Sequence, residues 1–175
     1  MSRKLQNQEL NRLTVEKFKI VSKTPLILIL DNVRSMHNVG SIFRTADAFR
    51  VSKIYLCGIT ATPPHRDIRK TALGADESVE WEYVEDAALL IPELKDYTLC
   101  ALEQAENSVS LRDFSHNSSP IALIVGNEVE GVQQKLLDLC NNIIEIPQFG
   151  TKHSFNVSVS AGIAMWEIYN KLNNQ

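Results

Sequence analysis

A chain of 175 residues, 44% hydrophobic and 22% charged, is long enough for one domain with a buried core and too apolar for a disordered or fibrous protein. It holds no apolar run near the roughly 20 residues of a membrane span, and its polar N-terminus lacks the apolar centre of an export signal, so a cytoplasmic protein is expected. The net charge of −3 is unevenly split: residues 1–70 carry 13 of the 18 Lys and Arg against 5 acids, a basic half of the kind a phosphate backbone requires.

In chain order, residues 1–24 read as a basic extension with Arg3, Lys4, Arg12, Lys17 and Lys19, and residues 25–175 as one domain. The short, nearly all-apolar run 25–31 suits a buried parallel strand. Asn38 can cap a helix running to about Phe49, with Ile42, Phe43, Ala46 and Phe49 on one face. A strand at 53–57 leads into the loop 58–66, punctuated by Pro63 and Pro64. A short helix at 68–73 stops at Gly74, followed by a strand at 78–83 and a helix at 86–94. Residues 97–102 and 120–125 are further buried strands, 132–139 a helix, 143–146 a last strand, and 156–172 the final helix. Strands alternating with helices predict an α/β fold: a mainly parallel sheet with helices on both faces. In the final helix, Val157, Ala161, Ala164, Met165, Ile168 and Leu172 form one apolar face, and Val159, Ile163 and Trp166 extend it. A terminal helix apolar on more than one side predicts a homodimer formed through it.

Cys57, Cys100 and Cys140 lack CxxC spacing, and neither they nor His37, His65, His116 and His153 show ligand spacing, so buried reduced thiols and no metal are expected. Without an export signal, the triplets beginning at Asn117 and Asn156 read as chance matches to a glycosylation site.

Three segments place polar residues where strands end and helices begin, the usual position of ligands in open α/β sheets. In DNVRSMHNVGSIFRTADAF (31–49), Asn38 precedes Arg44, and Gly40 leaves room for a ligand or another chain at the backbone; read by themselves, Asn38 is a helix cap and Arg44 a surface arginine. In IALIVGNEVEGV (121–132), Gly126, Glu128 and Gly131 form a polar turn. Val132 and Gln133 stand where a phosphate-binding loop needs Lys and Ser or Thr, and no GxGxxG follows any strand, so neither a nucleoside triphosphate nor a dinucleotide is expected. In IEIPQFGTKHSFNVSVSAG (144–162), Ser154, Asn156, Ser158 and Ser160 supply more donors and acceptors than one helix cap needs.

Taken together, NVGSIFRTADAF, the Gly126-x-Glu128-x-x-Gly131 turn and Ile146-Pro147 followed by SFNVS resemble the SpoU (TrmH) family of the SPOUT methyltransferases, over nearly the whole chain from about Leu26 to Tyr169. Arg50 departs from the glycine common there. The resemblance implies transfer of a methyl group from S-adenosylmethionine to a ribose 2′-hydroxyl of RNA, tRNA before rRNA. It also implies a C-terminal deep trefoil knot and a dimer whose partner contributes to the active site. It assigns Asn38, Arg44, Glu128, Ser154 and Asn156 to catalysis and Leu102, Gly126, Ile146 and Phe155 to the cofactor. Arg44 is implied as general base or as a bidentate clamp on the neighbouring phosphate; a guanidinium is a poor base at neutral pH, and either role demands its planar fork. Arg66, Arg69 and Lys70 are the RNA-contact candidates, with a solvated surface as the alternative. The competing function is a catalytically silent RNA-binding or ribosome-assembly factor on the same fold.

Overall fold

Strand β1 (Thr24–Asp31) is buried at every position from Leu26 to Asp31. A strand with no solvated face needs cover on both sides, and it has it. Leu26, Leu28 and Leu30 join an apolar cluster with Ile42 and Phe43 of α2 (Met36–Ala48) and Ala164 and Met165 of α6 (Val157–Asn173). Ile27 and Ile29 face the other way, toward Leu90 and Leu94 of a 3-10 segment (Ala87–Leu94) and Leu136 of α5 (Gln134–Leu137). Strand β6 (Ile121–Val125) divides its side chains between the two clusters in the same alternation. These are features of a computed structural model that describes residues 2–116 and 119–173; the triplet at Asn117 falls outside the described residues.

The remaining strands are β2 (Val51–Cys57), β3 (Trp81–Val84), β4 (Thr98–Leu102), β5 (Val109–Ser110) and β7 (Asn142–Glu145). The sheet runs β3-β2-β1-β6-β4-β7-β5, and every ladder between these strands is parallel. This is the α/β architecture with helices on both faces that the alternation predicts. Helix α1 (Val15–Ile20) is capped by Thr14 and buries Phe18 in the larger cluster. Helix α3 (Arg66–Ala72) packs across α2, where a side chain at Gly40 would collide with Thr71 and the Ile68 carbonyl. The close neighbour that Gly40 admits is therefore the chain's own helix, not a ligand.

Several boundaries differ from the sequence expectation. Asn38 does not cap α2: Ser35 does, its hydroxyl accepting from the Asn38 N–H at 3.3 Å, and Asn38 lies in the first turn with its amide free for other partners. Residues 75–78 form a helical turn, α4, because Ser78 Oγ reaches back to the Ala75 carbonyl and across to Asp47; β3 starts only at Trp81. The segment 87–94 is a 3-10 helix carrying Pro92, which has no N–H to donate. The helix expected at 132–139 is regular only over Gln134–Leu137. Burial pushes the thiols of Cys57 and Cys100 up to about 12 and that of Cys140 to about 11, so all three stay protonated.

Phe43 is fully buried between α2 and the sheet. Phe43→Ala is expected to cost about 3–5 kcal/mol, as transfer and cavity effects add, a loss to be read from urea denaturation.

Candidate active site

Three neighbouring strands, β6, β4 and β7, end along one edge of the sheet at Val125, Leu102 and Glu145. The loops that leave them enclose a pocket, as expected at the carboxyl edge of a parallel sheet. Leu102, Gly126, Ile146 and Phe155 all line it, and so do Glu128 and Ser154. Residues far apart in sequence thus meet because their strands end side by side. The lining contains the carboxylates of Glu103, Glu128 and Glu145 and no lysine, arginine or histidine. Such a wall favours a neutral or cationic ligand and opposes a phosphate.

Glu128 ties two of the motif segments together. Its Oε2 accepts the Arg34 N–H at 2.9 Å, and its Oε1 accepts the Ser35 N–H and the Asn38 side-chain amide, each at 3.0 Å. Burial raises the carboxyl's pKa, but the donors from Arg34, Asn38 and Ser35 outweigh it and hold it below the usual glutamate range. An ionised group whose lone pairs are already engaged is a clamp rather than a proton acceptor. It orients the Asn38 amide, and no bond joins it to Arg44.

The third segment joins through Asn156, whose Nδ2 donates to Asn38 Oδ1 at 3.1 Å. Its Oδ1 accepts the Ser158 N–H at 2.9 Å, which caps α6. Asn156, Asn38 and Glu128 therefore form one chain of hydrogen bonds across all three motifs. Ser154 sits at the pocket wall with its side chain exposed.

Arg44 is not in this pocket. It is exposed on the outward face of α2 with His37 and Ala48, and makes no hydrogen bond or ion pair among the described residues. The RNA-contact candidates lie together on α3 but are not equivalent. All three are exposed, and Arg69 also reaches toward Asp76 and Glu77, at 3.8 and 3.9 Å.

Other residues shape the site without having been singled out. Asp31, at the end of β1, accepts from the Gln133 N–H (3.0 Å), Gln133 Nε2 (2.6 Å) and Asn32 Nδ2 (2.8 Å). Asn127 donates to the Asn32 carbonyl and pairs with Gly131 by two 3.0 Å backbone bonds that close the turn. The available signal was an acid directly after an apolar strand, at Asp31 and again at Glu103.

The sequence profile described as the SpoU rRNA methylase family matches residues 25–166. A protein of Neisseria meningitidis serogroup B, named 23S rRNA (guanosine-2′-O-)-methyltransferase, is 35% identical over 84% of this chain and 59% of its own length. The chain thus spans about three-fifths of that curated relative. The crystal structure of the A. aeolicus TrmH/SpoU tRNA modifying enzyme superposes with a TM-score of 0.80 at 27% identity, over 91% of this chain and 83% of that one. An AdoMet-bound rRNA methyltransferase from Sinorhizobium meliloti gives 0.80 at 27% identity, over 89% of this chain and 60% of that one.

Proposed function

The chain belongs to the SpoU rRNA methylase family, and from that membership we propose that it transfers a methyl group from S-adenosylmethionine to a ribose 2′-hydroxyl of a structured RNA. The observation that carries this reading is the pocket at the ends of β4, β6 and β7: its carboxylates, without a basic side chain, suit a ligand bearing a sulfonium and an ammonium. When bound, that molecule supplies an electrophilic methyl group for the ribose oxygen. Leu102, Gly126, Ile146 and Phe155 would hold it. Ser154, beside them, lies where it can bond the ligand or the ribose; Glu128 fixes the amide of Asn38, which in turn holds that of Asn156.

Fixing both reactants at contact distance is the main service such a site offers. In the transfer the ribose oxygen would bond to the methyl carbon as the carbon–sulfur pair returned to sulfur, leaving a neutral thioether, and the hydroxyl proton would pass to solvent water. Arg44 supplies the bidentate fork for the phosphate beside the target ribose. Its absence from its own chain's pocket fits service to the pocket of a second copy. Val159, Ile163 and Trp166 on α6 are 50%, 38% and 54% exposed, an apolar stripe on which that copy would dock. Arg66, Arg69 and Lys70, all exposed on α3, extend the RNA surface. We place tRNA before rRNA, because the solved relative matched over the larger share of its own length is described as a tRNA modifying enzyme. No helix among the described residues is long and apolar enough to cross a membrane, and we place the protein in the cytoplasm.

The test is incubation with methyl-labelled S-adenosylmethionine and separate pools of unmodified tRNA and rRNA, followed by nucleoside analysis. Label in 2′-O-methyl nucleosides of the tRNA pool is the expected outcome. RNA binding without transfer to either pool would replace the enzyme with a silent binding or assembly factor.

A further inference from the structure

The pocket has two walls made of loop rather than regular structure. One is the turn 126–133 after β6; the other is the segment 146–156 between β7 and α6. Loops of this kind open at low cost unless something ties them. The residues just past β4 stand between the two.

Glu103 serves the first wall. Its Oε2 accepts the Val132 N–H at 2.9 Å and its Oε1 the Gln104 N–H at 2.9 Å, so both oxygens are taken by backbone donors. Gly131 lies against this carboxylate with φ +70°, and any side chain there would collide with it. Gln104 serves the second wall: its Nε2 donates to the His153 carbonyl at 2.8 Å. Among the described residues, that is the one hydrogen bond holding the backbone of 146–155, apart from Asn156 at its end. Ile146, Ser154 and Phe155 all sit on this tethered stretch.

We propose that Glu103 and Gln104 are a two-sided strap: one side chain anchors the turn, its neighbour anchors the C-terminal segment, and together they set the width of the cofactor pocket. Both act here as positioning residues: each Glu103 oxygen accepts a backbone N–H, and Gln104 Nε2 donates to the His153 carbonyl. The inference rests on the pocket being the S-adenosylmethionine site.

The experiment compares the affinity of wild type and variants for S-adenosylhomocysteine by calorimetry. Gln104→Met keeps the length but removes the donor without adding charge, and is expected to weaken binding about fivefold, the scale of one neutral hydrogen bond. Glu103→Gln turns an amide N–H toward a backbone N–H and is expected to weaken binding about thirtyfold, because charge-assisted bonds are the stronger ones. In turnover, KM for S-adenosylmethionine rises while KM for RNA holds, and the ligand-free melting temperature of Gln104→Met does not move. Equal affinity of Gln104→Met and wild type overturns the strap. Wild type that binds no S-adenosylhomocysteine overturns the cofactor reading and the strap with it.

Discussion

Arg44→Lys is expected to lower methyl transfer by about 10²–10³, the scale seen when one preorganised hydrogen-bond donor is removed, while leaving folding and S-adenosylhomocysteine binding as they are. The reasons are local. Arg44 is exposed and has no partner within the described residues of its own chain, so its replacement leaves no buried group unsatisfied. Surface changes of that sort stay within about 0.5 kcal/mol. Lysine keeps the charge but loses the planar pair of donors that grips a phosphate. Helix α2 also lies against α6: the next residue, Thr45, comes close to Gly162 of α6. If Arg44 serves the partner's pocket, mixing Arg44→Ala protein with a variant crippled in the pocket should recover activity that neither has alone. No recovery on mixing would sink the shared site, and a fall in melting temperature would sink the surface role.

The second large effect is expected at Glu128. Three donors converge on its two oxygens, so Glu128→Gln sets an amide N–H against one of them. The loss is expected to reach about 1–3 kcal/mol, the cost of an unsatisfied hydrogen-bonding group, together with a fall in kcat as Asn38 loses its orientation. The pH dependence follows from the sign of the shift. The folded carboxyl titrates below its unfolded value, so the stability it contributes is present in full above the ordinary glutamate range near 4.3. That stability is lost as the pH falls through the folded value. Urea denaturation of wild type and Glu128→Gln should give a constant difference from neutral pH down to about 5, closing below about 4. A difference that persisted into strong acid would show that the carboxylate's charge is not what the clamp uses.

The central strands were legible because burial on both faces leaves a plain mark, an unbroken run of Leu, Ile and Val such as 26–30. The motif segments were legible as polar residues crowded at strand ends, and the structure brings the cofactor candidates into one pocket. What local pattern could not carry was pairing at long range. Asp31 holds Gln133 across 102 residues and Glu103 holds Val132 across 29, with no periodicity to announce either. Asn38 looked like a cap because asparagine before an apolar helix usually is one. Ser35, three residues earlier, took that task and released Asn38 for the site. The trefoil threading implied by the family is likewise a property of the chain's path rather than of its residue pattern.

Asn156 answers to two separate demands, and this narrows what can stand at position 156 as such sequences diverge. Capping α6 alone would accept serine, threonine or aspartate, each able to receive the Ser158 N–H. Donating to Asn38 excludes aspartate, which has no N–H, and strains the reach of the shorter hydroxyls. Asparagine satisfies both at once. Divergence is therefore free to exchange the outward residues of the terminal helix, whereas the residue that begins it is held by the helix and the site together.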